Sequence, residues 1–338
     1  MKQKVILVSI LLSLFVSSCG KEETNVLRSD GGFPEFPENM TVFNSEYDDY
    51  NSDLEPGEYE FYDFIFSSNR NSMGNDFDIL LFPVSIAYPY EEDVLTISVS
   101  SGTTTGFSFF KSMLEKINTS DNEFGPYTFN CNLNSDPGNS EYLFLYAREE
   151  SNNLNLCFVV NEPDPTGRSL NGYIQTGPYN VEIINTDIYN EGYISVANDK
   201  IYYCSDKEGN FNIYQKDINN TVNLVDFLTQ PYEQGDKIDI LSSDEQDKCP
   251  YVADSFMVFT SNRQGGSGGF DLYYSKLSNG EWSEPQNFGS TINSEYDEYR
   301  PIVRLYKTIP NDLMIFSSNR EGGLGGYDLY YLGITETR

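Results

Sequence analysis

The chain has 338 residues, of which 21 are basic and 52 acidic, giving a formal charge of −31, and it contains no histidine. That charge excludes nucleic acid and argues against an electrostatic hold on anionic membranes. The missing imidazole excludes serine–histidine triads, cysteine–histidine dyads and histidine-ligated metals, and leaves paired carboxylates as groups that could still cleave glycans.

In chain order, the first element is MKQKVILVSILLSLFVSSCG, with Lys2 and Lys4 ahead of an apolar run from Val5 to Val16. It is too short to span a bilayer and reads as an export signal over residues 1–18. Val16-Ser17-Ser18-Cys19 resembles a bacterial lipobox, which implies cleavage before Cys19 and lipid on its sulfur. Gly20-Lys21-Glu22-Glu23 resembles a surface-export signal of Gram-negative lipoproteins. Residues 19–36 then form the lipidated cysteine and a polar, flexible tether. The expected location is the outer membrane, lipid-anchored and open to display on the cell surface, with the membrane contacted only through the lipid.

From residue 37 to 334 a two-part unit recurs. One part is an acidic connector: FNSEYDDYNS (Phe43–Ser52), INTSDNEFGPY (Ile117–Tyr127), INTDIYNEGYI (Ile184–Ile194), LSSDEQDKCPY (Leu241–Tyr251) and INSEYDEYRPI (Ile292–Ile302). The other is a hairpin: FSSNRNSMGNDFDIL, FTSNRQGGSGGFDLYY and FSSNREGGLGGYDLYY in full, with FLYAREESNNLNLCF and YCSDKEGNFNIY as degenerate copies. Alternating aromatic and branched residues between glycine-rich turns predict strands, and a step near 57 residues with about four strands predicts propeller blades. The first step is longer, so an insertion is expected near Ser100–Ile117, ending in a helix. The predicted fold is all-β, a propeller of five blades with six as the alternative. Glu38 to Phe43 would supply the outer strand that the last unit lacks, closing the ring and removing open edges.

The strings F-[ST]-S-N-R, G-G-x-G-G-[FY]-D-[LI]-Y-Y, NGEWSEPQNFG and NSEYDEYRP resemble the WD-repeat-like propeller repeats of the TolB type. That resemblance implies a non-enzymatic scaffold that binds another envelope protein. The alternative is a glycan-binding or glycan-cleaving propeller using channel carboxylates. A deep pocket with two isolated carboxylates and an aromatic floor would favour the enzyme, and a flat or arginine-filled mouth the scaffold.

The glycine clusters lie between strands and precede no helix, so they are turn residues and not a phosphate cradle. Arg70 and Asp78, Arg263 and Asp271, and Arg320 and Asp328 stand eight residues apart and are expected to pair structurally across the hairpin or with its backbone. Asp48, Asp49, Glu123, Glu191, Asp247, Asp297 and Glu298 should ring the channel mouth on the hairpin face, capping turns and pairing with arginines. No cofactor or metal is assigned; calcium is the alternative for that ring, against which no DxDxDG loop occurs. Cys131, Cys157, Cys204 and Cys249 allow three pairings that the sequence does not choose between.

Overall fold

The computed structural model describes residues 31–338 except 57–60, 90–92, 102–106, 131–141 and 170–171. The expectations for residues 1–30, including Cys19, therefore fall outside the described residues, as does Cys131. Five antiparallel sheets follow one another along the chain. Blade one comprises Asp49–Pro56, Phe61–Ser68, Asp78–Ala87 and Thr96–Val99; blade two comprises Asn122–Asn130, Tyr142–Glu150, Asn153–Pro163 and Tyr173–Asn180. Blade three is built from Glu191–Ala197, Lys200–Ser205, Asn212–Asp217 and Asp236–Lys237. In blade four, Asp247–Ala253, Phe256–Ser261 and Asp271–Ser278 are edged by two short pieces, Glu281–Trp282 and Gln286–Asn287.

Blade five takes Glu298–Arg304, Asp312–Ser318 and Asp328–Ile334 from the end of the chain and Glu38–Asn39 from its start. Glu38 pairs with Tyr331 and Asn39 with Tyr330, so the two ends of the propeller share one sheet. The first strand of each blade contacts its counterparts on both sides, and the ring is closed at five. Closure packs each inner strand between its neighbours around the axis and leaves none at an open side of the ring.

The connector motif explains why the blades hold together. Its apolar first residue, Phe43, Ile117, Ile184, Leu241 or Ile292, is buried between blades. The following asparagine acts as a short stretch of strand. Asn293 accepts from the Leu272 N–H (2.8 Å) and donates to the Leu272 carbonyl (3.1 Å), and Asn44, Asn118 and Asn185 clamp Leu329, Ile79 and Leu156 in the same way. These bonds satisfy backbone groups that would otherwise be buried without partners. Rings interlock too: Phe43 of the connector meets Phe64 of blade one edge-on at 5.2 Å, and within blade one Phe66 stacks on Phe82 at 5.5 Å.

The expected helix occupies Phe107–Ile117 and wedges Phe110, Met113 and Ile117 against Ile65 and Ile79 of blade one and Phe144 and Val159 of blade two. A short second helix, Leu224–Leu228, was not foreseen. In all five inner strands the register shifts near the start, and the second residue after the leading acid has positive φ: Asn51, Gly125, Tyr193, Cys249 and Arg300. Four of the five carry a side chain in a conformation that costs about 1 kcal/mol or more, so the bulge is a built feature of the channel wall.

Candidate functional site

The hairpin face carries most of the residues singled out in the sequence. Each inner strand carries an acid at its first or second position, Asp49, Glu123, Glu191, Asp247 or Glu298, and all five are buried. In every blade a serine or threonine of the connector donates to it, as Ser294 does to Glu298 through both N–H (2.8 Å) and Oγ (2.6 Å). The hairpin arginines also point here. Arg70 pairs with Asp49 (2.5 Å), Arg263 with Asp247 (2.6 Å) and Arg320 with Glu298 (2.8 Å).

This corrects the expected partner of each arginine. Asp271 and Asp328 serve the hairpin backbone instead: Asp271 accepts from the N–H groups of Ser267 and Gly268, and Asp328 from those of Leu324 and Gly325. Asp78 accepts from the Asn71 amide. The reason is reach, since the turn directs the guanidinium inward over the strand that precedes it by about twenty residues. Asp48 and Asp297 cap the next hairpin by accepting from Tyr327 N and Phe270 N, both at 2.8 Å.

The seven acids thus form a ring, and each has protein donors on its carboxylate. Among the described residues no three acid or thiol groups converge to hold a metal. The degenerate blades lack the ion pair: Arg148 reaches Glu150, and Lys207 lies over the Tyr214 ring. Their acids, Glu123 and Glu191, are each pushed up to about 7, first by burial.

Inside that ring the mouth is aromatic. Tyr50 contacts Phe77 (5.0 Å), Phe124 (6.0 Å) and Tyr327 (5.6 Å), Tyr299 contacts Phe270 (5.5 Å) and Tyr327 (6.4 Å), and Lys248 sits over Phe211 at 4.4 Å.

A second group of carboxyls, not singled out from the sequence, lies towards the opposite face. Asp53 and Glu55 project from the same side of the blade-one inner strand, and Asp63 stands directly opposite Glu55 on the next strand. All three are buried, Glu55 least so, at 9% exposure. Thr128 of blade two bridges the first two: its N–H and its Oγ1 each lie 2.7 Å from Asp53 Oδ2, and Oγ1 is 2.8 Å from Glu55 Oε2.

One hydroxyl has one proton to donate, so it cannot donate to two carboxylates at once. The consistent arrangement has Glu55 protonated and donating to Thr128, which donates to an ionised Asp53. Burial, and then the charge of Asp53, push Glu55 up to about 8. Burial also raises Asp53, while Thr128 and Arg300 pull it back down.

Phe129 and Asn130, which follow Thr128 in the chain, line a pocket of about 440 Å³ together with Asn198, Asp199, Asn220 and Asn223. Asn130 is also paired in register with Tyr142, whose phenol is pushed up by burial and by the field of Glu55. The carboxyls and the amide-lined pocket therefore share one face.

A signal for the missed acids was present as a break in the repeat. Where blade one has Asp53, the other blades have Tyr127, Ser195, Tyr251 and Ile302; where it has Glu55, they have Phe129, Ala197, Ala253 and Arg304. Repeats were aligned for what they share, and these residues are what they do not share.

No protein-family model and no curated protein sequence matches the chain. Solved structures do. An endo-arabinase from Bacteroides thetaiotaomicron VPI-5482 superposes with a TM-score of 0.51 at 11% identity, over 89% of this chain and 97% of that one. A Cellvibrio cellulosa α-L-arabinanase complexed with arabinohexaose gives 0.48 at 10% identity over 86% and 93%. The catalytic domain of a Coprinopsis cinerea GH62 α-L-arabinofuranosidase gives 0.46 at 10% identity over 90% and 96%.

At such identities the first of these establishes the fold and nothing finer. The propeller is thereby similar in shape to that endo-arabinase. The TolB-type resemblance, and with it the non-enzymatic envelope scaffold expected from the repeat strings, is corrected accordingly. Those strings record how a blade is built, which unrelated propellers share, and carry no information about the site.

Proposed function

We propose that this propeller acts on glycans and cleaves a glycosidic bond with the carboxyls of blade one. The observation that carries the reading is that Asp53 Oδ2 and Glu55 Oε2 both lie within hydrogen-bonding distance of Thr128 Oγ1, one residue before Phe129 and Asn130 of a pocket that carries four asparagines. Neighbouring acids whose environments drive their proton affinities apart divide naturally into a proton donor and a fixed charge.

Glu55, the most accessible of the three, would protonate the leaving oxygen. Asp63, opposite it in register, is the second carboxylate of the pair that glycoside cleavage requires. Asp53 would hold Glu55 protonated and so acts as a positioning residue. The amides of Asn130, Asn198, Asn220 and Asn223 and the carboxylate of Asp199 suit the hydroxyls of a neutral sugar, with Phe129 available for stacking. The fold relatives titled as arabinanases support this substrate class.

The test is hydrolysis of a panel of oligosaccharides, α-linked arabinan oligomers among them, by the wild type and by Glu55→Gln and Asp63→Asn. Loss of about a hundredfold or more in turnover by each folded variant is expected. An inactive wild type across the panel, or variants as active as the wild type, would sink the reading.

A further inference from the structure

The level of the channel where the five inner strands bulge holds a group of buried polar atoms that the proposed reaction does not use. Arg300 contributes the largest of them and is completely buried. From blade five its guanidinium crosses the channel: Nη2 donates to the Pro126 carbonyl of blade two (3.2 Å), and Cζ lies 5.8 Å over the Tyr193 ring of blade three. Its Nε and Nη1 have no partner among the described residues. At the equivalent bulge position of blade one, Asn51 is likewise completely buried with neither Oδ1 nor Nδ2 bonded, and the adjacent Ser52 hydroxyl is also unpartnered.

Leaving such groups without partners costs several kcal/mol together, most of it at the guanidinium. Donors outnumber acceptors here, so the layer cannot satisfy itself. The carboxylate whose field reaches Arg300 is Asp53, whose Oδ2 is already taken up by Thr128. A water could donate to Asn51 Oδ1, but it would bring a further donor to a place where donors are already in surplus. A negative ion supplies what is missing. Towards the hairpin face the layer is covered by Tyr193 and Tyr299, whose rings meet at 6.0 Å, which limits any occupant to a small one.

We propose that Arg300 Nε and Nη1, with Asn51 Nδ2 and the Ser52 hydroxyl, form a binding site for one small monovalent anion of halide size on the propeller axis. It would tie blades one, two, three and five through a single centre. The positive φ of Asn51 and Arg300 turns both residues out of the regular strand course at this level, which gives the bulge a purpose beyond strand curvature.

The test uses the full chain. Thermal melts are recorded in sodium bromide or chloride against sodium gluconate at equal ionic strength, and crystals grown from bromide are examined for anomalous scattering. A saturable rise of a few degrees with halide is expected, together with a bromide peak within bonding distance of Arg300 Nε or Nη1. Arg300→Met should abolish the halide-dependent rise, as should the milder Asn51→Leu in part. Should neither variant fold, the wild-type peak and melts decide alone. Water oxygens at the guanidinium with melts indifferent to halide would overturn the proposal.

Discussion

At the scale of single residues, the cation and the acid of each repeat turn out to have separate duties. Arg320 neutralises Glu298 and donates to the Ile292 carbonyl (2.8 Å), while Asp328 organises the hairpin. Removing one member of a buried pair leaves the other charge stranded, so Arg320→Met should lower stability by about 3 kcal/mol. Denaturant melts would measure it, and adding Glu298→Gln should restore much of the loss.

Glu55 gives a pH prediction whose sign is fixed by its raised proton affinity. With the folded value near 8 and the ordinary one at 4.5, the folded protein binds the proton more tightly than the unfolded chain. Its stabilising contribution is therefore full at acid pH below the ordinary range and is lost as pH rises through about 8. Glu123 and Glu191 act in the same direction, with their loss complete near 7. Thermal melts should fall from pH 5 to pH 8.5, less steeply in Glu55→Gln, and the rate of any glycan cleavage should drop as Glu55 ionises.

At the scale of the element, the connector and the hairpin are one device. Gly325 packs beneath the connector of blade one so closely that a Cβ would sit 1.8 Å from the Tyr47 carbonyl oxygen, and Gly268 would collide likewise with Tyr296. The second glycine pair of the hairpin is thus required for approach, whereas Gly265 and Gly322 of the first pair supply the positive φ expected of a turn. The asparagine clamp belongs to this scale too. Asn293→Ala should cost about 2–3 kcal/mol, because Leu272 would lose a donor and an acceptor in a buried place. A smaller change in chemical denaturation would mean that water replaces the clamp. These motifs were legible as repetition, but the register that joins Arg320 to Glu298 was not, because it depends on which strand the turn leans over.

At the scale of the molecule, ring closure rests on few residues. The strand Glu38–Asn39 is backed by Met40 and Phe43, both buried, and by Asn44 clamped to Leu329. Deleting the chain through Phe43 removes three core side chains, Phe33, Met40 and Phe43, and opens blade five. A fall in Tm of roughly 10 °C and a new tendency to associate through the exposed edge are expected. Calorimetry and light scattering would check both, and an unchanged Tm would mean the ring is held without this strand.

By itself the sequence determined the blade and its closure, and showed five copies of the unit with six blades left open, because alternation, turn residues and a repeated connector are local and are written several times over. It also excluded histidine from any acid–base chemistry. Only the tertiary structure decided which carboxyls matter. Asp53 and Glu55 lie on blade one and Thr128 on blade two, and their meeting, like that of Arg300 with Pro126 across the channel, comes from wrapping distant segments around one axis. Proximity of that kind sets burial and shared protons, and neither has a signature in the order of residues along the chain.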